Sequence, residues 1–298
     1  MASPSTLNRS LELAGTLPAL MVAADRVAAT VIQGVHGRRR VGQGDAFWQY
    51  RPYREGDSAG RIDWRQSARS RHLFVRETEW EAAASVWLWR DASPSMQYAS
   101  LRGLDTKAVR GELITLALAS LLTDASERIA ILGTGMRPIT GRIAVRRVAE
   151  TMFEETLDKS RTPPSLPPMV PLPAHGTVVL VSDWLDPLDK IEAVIRHYAS
   201  GGVRGHIVQV LDPAEEDLPF DGHVKFEGLE AEGQHTVRRV EAVRTAYGAR
   251  LAAQREGLQR LARPANWTVH LHRTDRPPQT VLLALYLAMA DLRRLNVA

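Results

Sequence analysis

The chain has 298 residues and no cysteine. That excludes a disulfide framework, a thiol nucleophile and every zinc site that depends on sulfur. Lysine is nearly as scarce: Lys107, Lys159, Lys190 and Lys225 are the only four among 38 cationic side chains. The rest are arginine, which keeps its charge near neutral pH and pairs bidentately with carboxylate or phosphate. The net charge is only +4, and no nucleic-acid module accompanies it, so nucleic acid is not an expected partner. Long apolar runs are absent too; none reaches the roughly 18–20 residues needed to span a bilayer. The N-terminus has no basic region ahead of its apolar stretch, and Arg9, Glu12, Asp25 and Arg26 interrupt it. It is therefore not read as a signal peptide, and a cytoplasmic protein is expected. The chain also lacks a G-x-x-x-x-G-K-S/T phosphate loop, a G-x-S-x-G elbow, an H-E-x-x-H helix and a glycine-rich dinucleotide turn. A non-enzymatic role is the expectation.

What is present suits a folded protein with a sizeable core: 44% hydrophobic and 24% charged residues. Residues 7–33 have helical periodicity interrupted by Pro18. A basic stretch, HGRRRVGQGDAF, leads into an arginine- and aspartate-rich segment whose end, LFVRETE, reads as a strand. In this segment Asp57 and Asp63 alternate with Arg54, Arg61, Arg65 and Arg69, Gly56 and Gly60 permit tight turns, and Trp64 is large enough to anchor the block. An internal ion-pair network is the first reading and a docking face the second.

From residue 84 strands and helices alternate. ASVWLWRD, ERIAILG, TVVLVSD, VRGHIVQVLD and WTVHLHR read as strands, with helices over 105–124, 141–157, 187–200, 241–262 and 278–294. A proline-rich connector, RTPPSLPPMVPLPAHG, separates the second helix from TVVLVSD, and HVKFEGLEAEGQHTVRRV is a hairpin candidate. This order predicts an α/β fold with a doubly wound, mostly parallel sheet over residues 80–298. Residues 1–79 would hold an N-terminal helix and the Arg/Asp-rich accessory segment. His270 and His272 share one face of their strand without a third ligand at a telling spacing, so a structural role is expected.

In such sheets ligands bind beyond the carboxyl ends of the strands. DASPS begins where the strand ASVWLWR ends, and Asp183 ends the strongest strand in the same way. Hard cations such as Mg²⁺ prefer oxygen donors, which makes Asp91, Ser93, Ser95 and Asp183 candidates for a metal site. The competing reading is a capped turn, a common use of Ser and Asp.

D-x-S-x-S followed by Met, with a later strand ending in Ser182-Asp183, resembles the metal-ion-dependent adhesion site of von Willebrand factor A domains. The resemblance implies Mg²⁺ (or Mn²⁺) bound directly by Ser93, Ser95 and a threonine. Asp91 and Asp183 would act through waters and hydrogen bonds, and a partner's carboxylate would complete the shell. The family's threonine sits in the loop before a helix, which favours Thr140 over Thr134. Arg90 beside the first Asp and Trp184 after the last depart from the usual pattern.

Upstream, YRPYREGDSAGRIDWRQSARSRHLFVRETE resembles the signature of the bacterial domain-of-unknown-function 58 family, with Arg51, Tyr53, Gly56, Asp57, Arg61, Ile62, Asp63, Trp64, Ala68 and Arg69 in its pattern. VQVLDPAEEDLPFDGHVKFEGLE fits that family's strand ending in D-P-x-E. Relatives commonly accompany MoxR-type AAA+ ATPases. The resemblance thus implies an adaptor or chaperone-like protein that joins such an ATPase to a client offering a carboxylate. The alternatives are a Mg²⁺-dependent phosphoester hydrolase and an arginine-rich nucleic-acid binder.

Overall fold

The structure, a computed structural model, describes residues 19–32, 47–53, 62–70, 72–78, 85–158, 160, 162–229 and 233–294. The chain divides into two compact units, residues 36–83 and the remainder.

In the smaller unit β1 (Phe47–Pro52) pairs antiparallel with β2 (Phe74–Thr78). Between them lies the single turn of α2 (Trp64–Ser67). Asp63 caps it, accepting the Gln66 N–H at 2.9 Å. The Ser67 hydroxyl donates to Asp63 O and accepts the Phe74 N–H, tying turn to strand. Asp63 is thus a helix cap, and Trp64, expected as an anchor, is 65% exposed. Arg54, Gly56, Asp57, Gly60 and Arg61 lie outside the described residues.

The larger unit is a three-layer α/β sandwich. Its sheet holds β3 (Ser85–Arg90), β4 (Arg128–Ile131), β5 (Thr177–Ser182), β6 (Arg204–Leu211) and β9 (Thr268–Arg273), all parallel, in the order β4-β3-β5-β6-β9. This is a doubly wound sheet. The chain turns one way after β3 and the other way after β5, so the topological switch point lies between those two strands.

Side-chain alternation sorts the two cores. Val86 and Leu88 of β3 face one layer, Trp87 and Trp89 the other. The first layer contains α1 (residues 19–32), α3 (Lys107–Asp124), α4 (Arg142–Leu157) and α8 (Pro278–Arg294). Twelve of the 18 residues of α3 are buried, so it is the central helix of that layer and not a surface one. The sequence division placed the N-terminal helix with the Arg/Asp-rich segment. The structure instead buries Ala24, Val27, Ala28 and Val31 of α1 in the α/β core, and Asp25 accepts the Ser120 hydroxyl of α3. Residues 7–18 of the expected helix lie outside the described residues.

The second layer is built by α5 (Leu188–Ser200) and α7 (Val240–Ala262) around Trp184, Tyr198 and Trp267. A short α6 (Pro213–Asp217) follows β6, and β7 (Val224–Glu227) pairs with β8 (Gln234–Val237) as the expected hairpin.

One departure from a simple βαβ path matters for the site. After β4 the chain folds back, and Ile139 pairs antiparallel with Ile129. The following α4 therefore starts at the amino edge of the sheet and runs toward the carboxyl edge. There the guanidinium of Arg90 donates to Met152 O and to the Thr156 hydroxyl in its last turns. The proline-rich connector returns the chain to the start of β5, packing Leu166, Val170 and Leu172 on the second core. Among the described residues no helix is long and apolar enough to cross a membrane.

Candidate functional site

The site is assembled at the carboxyl ends of β3, β5 and β6, astride the switch point. The Asp91 N–H continues the ladder by donating to Val181 O at 2.8 Å. Its carboxylate then folds the chain into a tight turn, accepting the Ser93 N–H at 2.7 Å. A 3₁₀ turn, Pro94–Gln97, follows and drives Met96 into the core beneath. The turn presents Ser93 and Ser95 with their hydroxyl oxygens 3.1 Å apart, and Ser95 Oγ donates to Asp183 Oδ2 at 3.0 Å. Ser182 Oγ donates to the other Asp91 oxygen at 2.7 Å. Asp91, Ser93, Ser95 and Asp183, which span 93 residues of sequence, are thus one hydrogen-bonded cluster.

Trp184 follows at φ 55, in the left-handed region that a bulky side chain seldom occupies. The residue is fully buried, and its indole N–H donates to Val208 O at 3.1 Å. Arg90, one residue before Asp91, points to the opposite face as strand alternation requires, toward Glu112 and Glu155. It takes no part in the cluster.

Thr140 is not brought to the site. Its neighbour Ile139 is level with Ile129, and Ile129 is level with Val86. Five strand residues separate Val86 from Asp91, about 16 Å at the usual rise. The fold-back after β4 is the cause. Thr134 is at the correct edge, but its hydroxyl donates to Ile131 O and accepts the Met136 N–H, a local turn.

A cation that sequence reading passed over stands against the cluster. Lys107 opens α3 immediately after the Thr106 cap. Its ammonium donates to Asp183 Oδ2 at 2.9 Å and to Glu215 Oε1 at 2.5 Å, with the side chain 1% exposed. Glu215 is held in turn by a capping box on α6. Asp212 accepts the Ala214 N–H, and Glu215 Oε2 accepts the Asp212 N–H. Asp212 also accepts the Ser100 N–H, which ties the loop after the 3₁₀ turn to the end of β6.

A buried cation at a helix N-terminus opposes the helix dipole as well as desolvation. Two carboxylates are the compensation. Burial pulls the Lys107 ammonium down, but Asp183 and Glu215 together outweigh it and hold its pKa above the ordinary lysine value. Burial pushes Glu215 up against the pull of Lys107. It pushes Asp91 up to about 7, despite the hydrogen bonds from Ser93 and Ser182, with the charge of Asp183 adding to the rise.

The donor set can be tested against the divalent ion that the family resemblance implies. Ser93 Oγ, Ser95 Oγ and Asp183 Oδ2 follow one another at 3.1 and 3.0 Å. That is near the roughly 2.9 Å edge of an oxygen octahedron around Mg²⁺. The third hydroxyl is missing, however, and Asp183 Oδ2, the charged donor, already holds Lys107 Nζ. A divalent ion about 4 Å from that ammonium would meet repulsion of about 8 kcal/mol at an effective dielectric constant of about 20. Among the described residues no group of three or more His, Asp or Glu side chains is arranged to hold a metal. The residues do not fit a resident divalent ion while Lys107 keeps its place.

Two signals for the missed residues were in the sequence. Lysine stands at only four positions, so one placed between DASPS and an apolar helix is unusual in this chain. The D-P-x-E motif at 212–215 has the spacing of a capping box.

Comparison with known proteins bears on the whole arrangement. The family model described as "Protein of unknown function DUF58" matches residues 49–257, a span that includes most of β1 at one end and most of α7 at the other. An uncharacterized protein of Mycobacterium bovis is 25% identical over 292 residues, covering 92% of this chain and 89% of its own length. Uncharacterized proteins from two strains of Mycobacterium tuberculosis match to the same extent. The signature segment, the DASPS strand end, Asp183 and the D-P-x-E turn all fall within the matched span, and the chain belongs to the DUF58 family.

Proposed function

We propose that the chain is a protein-interaction module, an adaptor or chaperone-like partner of a MoxR-type AAA+ ATPase, working in the cytoplasm and not as an enzyme. The observation that carries this reading is the convergence of Asp91, Ser93, Ser95 and Asp183 at the switch point, where open α/β sheets bind their ligands. The partner class comes from the family resemblance alone. The rim of the same edge carries exposed apolar side chains, Leu185 directly after the site at 43% and Leu101 before α3 at 60%. A partner that covered them would remove apolar surface from water. A metal-dependent form of the reading, with Mg²⁺ or Mn²⁺ completed by a client's carboxylate, needs a divalent ion that the donor set does not fit. The edge's own groups carry recognition instead.

The test is direct binding of the full chain to a MoxR-type AAA+ ATPase, followed by calorimetry. Leu185→Asp is expected to abolish the interaction and Leu185→Met to retain it. Ile143→Asp serves as the control, since Ile143 is also exposed but lies in the first turn of α4 at the opposite edge. Equal loss in Leu185→Asp and Ile143→Asp, or in neither, removes the carboxyl edge as the docking face.

A further inference from the structure

We propose that Lys107 is the resident cation of this adhesion-type site, and that its withdrawal would convert the same side chains into a divalent-metal site. The inference rests on the reading of the carboxyl edge as the functional site, and supplies the cation on which that site runs. Three observations carry it. The ammonium contacts the charged oxygen, Asp183 Oδ2, that also receives the Ser95 hydroxyl. Its second partner, Glu215, is positioned by a capping box that fixes both of its oxygens, one on Lys107 and one on the Asp212 N–H. Its two ion-pair partners come from the end of β5 and from α6, which follows β6, so three separate chain segments meet at the lysine, whose side chain is 1% exposed.

A tethered ammonium and a free divalent ion solve the same electrostatic problem, the accumulation of carboxyl groups at adjacent strand ends. They differ in what they offer a partner. A metal with an open position would bind a carboxylate from outside. A buried ammonium exposes no such position. The edge then presents serine hydroxyls and carboxyl groups, and docking at this edge needs no dissolved ion. Removing the side chain beyond Cβ would leave Asp183 Oδ2 and Glu215 Oε1 facing a space once filled by nitrogen, with Ser93 and Ser95 alongside. Two charged oxygens and two hydroxyls are a donor set of the kind Mn²⁺ accepts.

The experiment is a Mn²⁺ titration of the full chain, followed by electron paramagnetic resonance and calorimetry, on wild type, Lys107→Ala and Lys107→Ala/Ser93→Ala/Ser95→Ala. Wild type is expected to show no saturable site and no change in melting temperature on adding Mn²⁺ or a chelator. Lys107→Ala is expected to gain one site at least about tenfold tighter than any wild-type binding, and the triple variant to lose it. A wild-type site that depends on Ser93 and Ser95 would overturn the inference while leaving the adaptor reading intact. A folded Lys107→Ala that takes up no Mn²⁺ would overturn it as well. If Lys107→Ala does not fold, the wild-type titration and the chelator melt decide alone. Failure of the adaptor reading would show separately, in the ATPase-binding assay.

Discussion

Replacing Lys107 by methionine removes the ammonium and keeps most of the apolar stem, so the change isolates charge from packing. In the native site the lysine side chain is 1% exposed, Asp183 3% and Glu215 18%. The substitution leaves two carboxylates without their cation in this enclosure. Breaking a buried pair from one side typically costs about 3–5 kcal/mol. Methionine avoids the lysine's own desolvation and its opposition to the α3 dipole, which places the expected loss near the lower end, about 3 kcal/mol at pH 8. Glu215 has an escape: it can protonate. Burial already raises Glu215 above its ordinary value of 4.5, and the lowering influence of Lys107 disappears in the variant. A carboxyl whose folded pKa is raised contributes stability that is fully present below its unfolded pKa and is lost as pH rises through the folded value. The deficit of Lys107→Met should therefore be largest at pH 8 and shrink toward pH 5. Urea unfolding of both proteins at the two pH values measures it, with unchanged m-values as the check that both unfold alike. Adding Asp183→Asn and Glu215→Gln to Lys107→Met should recover most of the loss. A deficit under about 1 kcal/mol at pH 8, or one that does not vary with pH, would refute the electrostatic account of the site.

Two further predictions concern the scaffold. His272 is buried on β9, and burial, with Arg110 adding to it and Asp275 opposing, lowers its pKa from 6.5 to about 4. It therefore contributes stability above pH 6.5 that is lost as pH falls toward 4, about 3 kcal/mol over the whole window. His272→Leu should flatten the fall in urea midpoint between pH 7 and 4.5, and an unchanged fall would show that the histidine is not responsible. A Cβ at Gly205 on β6 would lie 1.9 Å from Cδ2 of Trp267, whose indole N–H donates to Val203 O. Gly205→Ala should cost about 3 kcal/mol and shift tryptophan emission toward the red; a native melting temperature would mean that Trp267 can relocate freely.

Four of the five sheet strands were legible as compact apolar runs, and β9, TVHLHR, by its polar–apolar alternation. β5, TVVLVS, is buried at all six positions and can be little else. The strand-end carboxylates were legible for the same reason, since a parallel strand's last residue must stand at the ligand-binding edge. β1 was not legible: FWQYRP carries an arginine and a proline in six residues and shows no clean alternation. Thr140 was misplaced because its position depends on one antiparallel pairing, Ile139 with Ile129, which leaves no periodic trace in a stretch this short. The long proline-rich connector was the hidden counterpart of that fold-back. A helix that ends at the carboxyl edge needs an extended return to the start of the next strand. Lys107 escaped notice for a different reason, because ion pairing across 76 and 108 residues has no local signature.

The cost of this edge is itself informative. Three carboxyl groups at strand ends, Asp91, Asp183 and Asp212, gather at this edge with Glu215 of α6; one buried ammonium pairs with two of the four, and Trp184, directly after Asp183, occupies a left-handed backbone conformation. The sheet requires neither feature. Apolar residues at the strand ends would pack as well without charge burial, and replacing buried ion pairs by hydrophobic residues is often neutral or stabilising. Strained backbone of this kind costs of order 1–3 kcal/mol and persists where surrounding structure over-determines it. Here the over-determination is visible. Trp184 is held by its indole bond to Val208 O and by Gln254, which donates to Trp184 O, while Gln209 donates to Asp183 O. These bonds fix the peptide that aims Asp183 at Ser95 and Lys107. A scaffold that spends stability to immobilise one carboxylate against a serine and a buried lysine is organised around that constellation.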